Sequence, residues 1–265
     1  MSEAVHVLGL NAATQCDPRH VANWSCIACN RSRYNLKDLN VTESRGHMAF
    51  TAWDEFSGEP GQIRVVLRGS LSVQDWISDA DFVKVPAYGE LGCDGCGVER
   101  GFYESWVDLR PGVEASVEAL LSKHPNATIS LTGHSLGGAM AAHAAVALRL
   151  VKGWNVASTV YTFGQPRVGD GNFSMWFAGH FPGWLRNVHW NDPVPHLPPI
   201  NLFGFGYAHP PREIWWTSDS GKASIVCEKD TGEDPNCSDS IVVPTVFTDH
   251  WFYLGYRVCG CVPFG

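Results

Sequence analysis

The sequence predicts an α/β fold with a mostly parallel central sheet flanked by helices. Three observations point there. Runs that read as strands recur along the chain: QIRVVLRG, which is β-branched and apolar, ATISLTG, which alternates, STVYTFG and WLRNVHW. Helical patterns separate several of them, and strands alternating with helices pair in parallel. Between one strand and one helix lies LTGHSLGGA, a sharp turn of recognisable chemistry.

Composition narrows the class. The chain has 265 residues, 45% hydrophobic and 17% charged, with no break in character, which suits one domain over 1–265. Its formal net charge is −8 and it has no basic cluster, so a nucleic-acid partner is not expected. No apolar run approaches the roughly 20 residues of a membrane span. Nine cysteines point to an oxidising compartment. Six sequons begin at Asn23, Asn30, Asn40, Asn126, Asn172 and Asn236. With this composition chance gives about one or two, so a secreted glycoprotein is expected. The opening MSEAVHVLGL carries Glu3 and a short apolar run and does not read as a signal peptide.

In order, residues 1–40 read as a helix followed by a loop-rich, cysteine-bearing segment. HMAFTAW and QIRVVLRG follow as strands. Next, Val73, Trp76, Ile77 and Ala80 stand at i, i+3, i+4 and i+7, one face of a short helix. Ser72 followed by Asp75 fits a capping signature for its start. Tyr88 to Gly101 is a Gly- and Cys-rich loop. From Phe102 to His124 the pattern is helical, with Val113, Val117, Leu120 and Leu121 on one face, and Pro111 kinks or restarts it. ATISLTG is a strand, and LGGAMAAHAAVALRLVK a buried Ala-rich helix. STVYTFG, WLRNVHW and REIWWTS are strands, and a last helix is expected near His250. The pairs Cys26/Cys29 and Cys93/Cys96 are too far apart for a zinc ribbon and read as local disulfides. Cys227 and Cys237 flank a polar loop that they could close.

Gly133-His134-Ser135-Leu136-Gly137 matches G-x-S-x-G. Small residues on both sides of Ser135 let strand and helix approach, and the strained turn lifts its hydroxyl above the sheet edge. The Leu136 N–H then sits at a helix N-terminus, placed to stabilise an oxyanion. His134 should point away and play a supporting part. A nucleophilic serine needs a base and an acid that orients the base, in the chain order serine, acid, histidine. Asp192, ending WLRNVHW, is favoured over Asp170 as the acid. Among His180, His189, His196, His209 and His250, the last is favoured as the base and His209 is its rival. Phe247 and Trp251 flank His250 and could wall a pocket.

Five ordered motifs, LRGS, TGHSLGGA, FGQPRVGD, NDPVPHLPP and DHWFYLG, together resemble the filamentous-fungal class 3 lipases from about Cys16 to Cys261. These are secreted α/β-hydrolases acting on triacylglycerols. The resemblance implies an α/β-hydrolase fold with Ser135 as nucleophile, Asp192 as acid and His250 as base. It also implies oxyanion donors from Ser70 and Leu136. It places a short helical lid at about 71–80, with Val73, Trp76, Ile77 and Asp79 on it. Trp76 and Ile77 would cover the site in water and dock on lipid when the lid opens; Asp79 would then hold the Ser70 hydroxyl. The family pattern further suggests disulfides Cys26–Cys29, Cys227–Cys237, and Cys16 with Cys259 or Cys261. Cys93–Cys96 instead resembles a pair in feruloyl esterases of the same fold, the alternative reading. Val194, Pro198, Phe247 and Trp251 are candidate acyl-pocket walls, with core packing the competing reading. No metal or cofactor is called for, and a monomer that touches lipid interfaces transiently is expected.

Overall fold

A computed structural model describes residues 2–29, 34–56, 60–72, 81–200, 206–218, 223–227, 230–241 and 244–263. The chain begins with α1 (Glu3–Thr14), α2 (Pro18–Ala22), β1 (Leu36–Ser44), β2 (His47–Asp54) and β3 (Gln62–Leu67). There follow β4 (Lys84–Pro86), β5 (Gly97–Glu99), α3 (Arg100–Lys123), β6 (Thr128–His134) and α4 (Leu136–Val146). Then come β7 (Val160–Phe163), β8 (Gly169–Asp170), α5 (Gly171–His180) and β9 (Trp184–His189). The chain closes with β10 (Tyr207–Ala208), β11 (Glu213–Trp216), β12 (Ser224–Val226), β13 (Phe252–Tyr253) and β14 (Tyr256–Arg257).

Eight strands form the main sheet in the order β1–β2–β3–β6–β7–β9–β11–β12. The four central pairings, β3–β6, β6–β7, β7–β9 and β9–β11, are parallel. The outer pairings β1–β2, β2–β3 and β11–β12 are antiparallel. Parallel neighbours need long crossovers, and α3, α4 and α5 supply three of them. The side-chain period of two divides each strand between two cores. Ile63, Val65 and Leu67 of β3 and Ile129 and Leu131 of β6 join α3 and α4 in the larger core. Val66 faces the other way, onto Leu10 of α1. On that face Asn11 of α1 donates to Thr132 Oγ1 of β6 at 2.7 Å. All of α4 is buried, as its alanine-rich composition demands.

The structure corrects several expectations. Part of the first loop-rich segment is β1, whose polar sequence LKDLNVTES hides an edge strand. The loop at 88–101 holds a 3₁₀ turn and β5, and α3 already begins at Arg100. Pro111 lies inside one continuous α3. Buried Trp106 and Leu109 before it and Val113 and Val117 after it bind both halves to the core, which outweighs its missing N–H. The helix expected over 136–152 ends at Val146 and finishes in a π turn, Ala147–Val151. The expected last helix is instead a 3₁₀ turn, Phe247–Trp251, followed by the β13–β14 hairpin.

Candidate active site

The site lies where the central parallel strands end. Ser135 is the single residue between β6 and α4, with φ 58° and ψ −132°. That conformation is costly for any residue but glycine. It persists because the turn is clamped by backbone. A Cβ on Gly133 would lie 2.1 Å from the Gly137 backbone, and one on Gly137 would lie 2.1 Å from the Leu67 carbonyl oxygen. The Ser135 N–H donates to the Phe163 carbonyl at 2.9 Å. Its Oγ is buried and has no hydrogen-bond partner among the described residues.

A second chain segment abuts this turn. A Cβ on Gly69 would come within 2.6 Å of the His134 carbonyl oxygen and 3.1 Å of Ser135 Cβ. Ser70 and Leu136 line one small cavity of about 250 Å³. The Ser70 hydroxyl is engaged within its own loop, donating to Ser72 O at 3.0 Å and accepting from Ser72 N at 3.3 Å.

His250 and Asp192 are both fully buried. His250 Nδ1 donates to Asp192 Oδ2 at 2.7 Å, leaving Nε2 without a partner among the described residues. Asp192 Oδ1 accepts the Val194 N–H at 2.8 Å, and Oδ2 also accepts the Tyr253 hydroxyl. Burial alone would raise the Asp192 pKa. The His250 charge, with the bonds from His250, Tyr253 and Val194, overrides it and holds the carboxyl below its ordinary value. Two unsatisfied polar atoms, Ser135 Oγ and His250 Nε2, are thus left in one region. His134 Nε2 donates to the His250 carbonyl at 2.8 Å, which props the base-bearing turn.

The rivals are occupied elsewhere. Asp170 caps α5 through Phe173 N and accepts Gly97 N at 2.8 Å. His209 Nε2 donates to Pro195 O at 2.7 Å. His196 pairs with Asp239 at 3.4 Å, His189 Nδ1 donates to Asp249 O, and His180 Nδ1 to Trp176 O.

The family model for class 3 lipases matches residues 64–202, half of the chain. This chain belongs to the class 3 lipases. The lipase of Rhizomucor miehei is 34% identical over 244 residues, which cover 91% of this chain. The chain spans 64% of the length of that relative. The secreted mono- and diacylglycerol lipase 1 of Fusarium solani is 39% identical over 201 residues, 75% of this chain and 56% of that protein. The solved Rhizomucor miehei triacylglyceride lipase superposes with a TM-score of 0.83 at 32% identity, covering 98% of this chain and 96% of that one. A structure described as a triacylglycerol lipase with a serine protease triad at its catalytic centre gives 0.84, with the same identity and coverage.

In this class 3 lipase, sequence reasoning passed over three supports of the base and acid. Gly164, at φ 58°, packs under the base: a Cβ there would lie 2.7 Å from His250 Cε1. Arg167, buried, sends Nε and Nη2 to Glu233 at 2.9 and 2.8 Å and Nη1 to the carbonyls of His196 and Pro198. It braces the loop that carries Asp192. The signal lay in FGQPRVGD, which matched as a motif without showing what its glycine and arginine touch. Tyr253 is the third. Tyr253→Phe is expected to cost about 1.5–3 kcal/mol of stability at neutral pH, as for a hydrogen bond to a charged group. Because folding lowers the Asp192 pKa, this stabilisation is full above the ordinary carboxylate range and fades as pH falls through the lowered value. Denaturation of both proteins across the acid range would check it; a difference independent of pH would refute it.

Of the four candidate pocket walls, Trp251 lines a cavity of about 190 Å³ with Ser70, Leu71 and Ser72. Val194 is fully buried beside Asp192. Pro198 sits in the loop braced by Arg167, and half-buried Phe247 shares the turn of His250. The lid residues Val73, Trp76, Ile77 and Asp79 lie outside the described residues. The cysteines pair as Cys26–Cys29, Cys93–Cys96, Cys227–Cys237 and Cys16–Cys261. That leaves Cys259 as the free thiol, its pKa pushed up to about 12 mainly by burial.

Proposed function

We propose that this chain is a secreted triacylglycerol lipase working through an acyl-enzyme on Ser135. The observation that carries the reading is the buried His250–Asp192 pair, whose Nε2 has no partner among the described residues, at the same end of the sheet as a strained serine whose hydroxyl likewise has none there. His250 takes the Ser135 proton as Oγ attacks the ester carbonyl. Asp192 holds the imidazole tautomer and stabilises its positive charge. The N–H groups of Ser70 and Leu136 receive the oxyanion; one such donor is typically worth roughly 2.7–4 kcal/mol. The alcohol departs with the proton from His250, and water then hydrolyses the acyl-enzyme by the same route. Relatives named as secreted mono- and diacylglycerol lipases support glycerol esters as the substrate class and an extracellular site of action, and the solved neighbour described as a triacylglycerol lipase supports the triester. The protein would work as a monomer, touching lipid only transiently.

The segment after Ser70 is the proposed lid, about 71–80. Leu71, at its start, is 68% exposed, and an apolar stripe of Val73, Trp76 and Ile77 follows it in sequence. Burying a large apolar side chain is worth roughly 1.5–3 kcal/mol, enough to hold a cover shut in water and to reward docking on lipid. The test is a panel of emulsified long-chain triacylglycerol, a soluble short-chain ester and methyl ferulate. The lipase reading expects turnover of the emulsion and a rate jump beyond the solubility limit. Activity confined to methyl ferulate would sink it in favour of a feruloyl esterase. Trp76→Ser should reduce the jump more than it reduces hydrolysis of the soluble ester.

A further inference from the structure

We infer that Asn126 carries an N-linked glycan whose first sugar is seated on Trp154, in a groove at the end of the sheet remote from Ser135. Asn126 opens the sequon Asn-Ala-Thr. It lies in the turn between α3 and β6, which is closed by the Ala127 N–H on the His124 carbonyl at 3.0 Å with Pro125 at its second position. The side chain is exposed, and its amide makes no hydrogen bond among the described residues. At three other sequons the amide nitrogen is already engaged. Asn23 donates to Arg19 O, Asn172 to Gly95 O and Asn236 to Asp234 Oδ1. Asn40 is exposed within β1, and Asn30 lies outside the described residues.

What separates Asn126 is its surroundings. It lines a groove of about 670 Å³ together with Glu118, Pro125, Gly153, Trp154 and Asn155. Trp154 is half-buried against the main core, and Lys152 Nζ stands 5.3 Å from its ring centre. On the indole, the C–H face of a pyranose would take the place over the ring that Lys152 Nζ now holds. Glu118 and Asn155 supply acceptors and donors for its hydroxyls. Free sugar would bind such a shallow site weakly. A sugar bonded to a lining residue is tethered at high effective concentration, so weak stacking suffices to seat it.

The modification is a transfer of oligosaccharide from a lipid-linked pyrophosphate donor of the secretory pathway. Asn126 Nδ2 forms a bond to sugar C1 and loses a proton, while the C1–O bond to the pyrophosphate breaks and the leaving group keeps the electron pair. The placement also suits a lipid-docking enzyme. Thr128 begins β6 and Ser135 follows its end. Seven residues of strand, roughly 23 Å at 3.3 Å each, separate glycan from nucleophile.

The test is to secrete the full chain from a yeast host, then release glycans with peptide-N-glycosidase in heavy-oxygen water. The peptide holding Asn126 should convert to labelled aspartate, and Asn126→Gln should remove one glycan from the intact mass. An unlabelled Asn126 would overturn the site. Under native conditions Trp154→Ala should still be glycosylated but should lose this glycan roughly three- to ten-fold faster, the factor that ring stacking implies. An unchanged release rate would overturn the seat on Trp154.

Discussion

Ser135→Ala is expected to lower ester turnover by about 10⁶-fold, the loss typical when the serine of such a unit is removed. His250, Asp192 and the N–H groups of Ser70 and Leu136 would still bind and polarise the ester. With no attacking oxygen attached to the protein, only water could react. The fold should survive, because Ser135 Oγ makes no hydrogen bond among the described residues that the substitution could break. Ser135→Gly sharpens the test. It should be equally inactive yet more stable by about 1–3 kcal/mol, since glycine adopts φ 58° and a strongly negative ψ without strain. Turnover by both variants and their denaturant midpoints decide the matter. Substantial activity in either would remove Ser135 from the mechanism, and an unstabilised glycine variant would remove the strain.

The second large effect is on folding. Gly137→Ala should destabilise by more than about 4 kcal/mol, a size reserved for clashes that cannot relax. The added Cβ would meet the Leu67 carbonyl oxygen at 2.1 Å and Arg68 C at 3.0 Å, both backbone atoms. Neither can swing aside as a side chain could. Relief requires α4 to move off β3, which uncovers the larger core. Gly179→Ala is the control: it lies in α5 with nothing within 4 Å of the new atom. There the exchange should gain up to about 1 kcal/mol through helix propensity. Equilibrium unfolding of the two variants checks the contrast; similar midpoints would mean that the turn is softer than its geometry implies.

How much of this was legible in the amino-acid sequence depends on where each signal lives. The central strands were readable because apolar residues recur at every second position where they face a core, as Ile63, Val65 and Leu67 do in QIRVVL and Ile129 and Leu131 in TISLTGH. The turn at Ser135 was readable because its glycines answer a local steric need. β1 was hidden because an edge strand with one side in water can be polar along its length, and LKDLNVTES is. α5, GNFSMWFAGH, shows no clean apolar stripe, and its start is marked by the Asp170 cap. The tail near His250 has apolar residues that suit a helix, but their partners, Val7, Leu8 and Phe163, are distant in sequence and hold a hairpin instead. Asp192 and His250 could be narrowed by chain order to two candidates each. Their hydrogen bond joins residues 58 positions apart, a relation no local pattern encodes. The choice between Cys259 and Cys261 was of the same kind.

The bond between Cys16 and Cys261 spans 245 positions. Almost the whole molecule is therefore a covalent ring, with α1 and the hairpin after His250 at its seam. A protease that cuts once in any loop between them opens the ring but does not divide it. Both pieces stay on one molecule, and the contacts across the seam still bring them back into register. The three other bridges close loops of at most ten positions and give no such protection. The first nick is therefore survivable, and it takes a second to carry a fragment away.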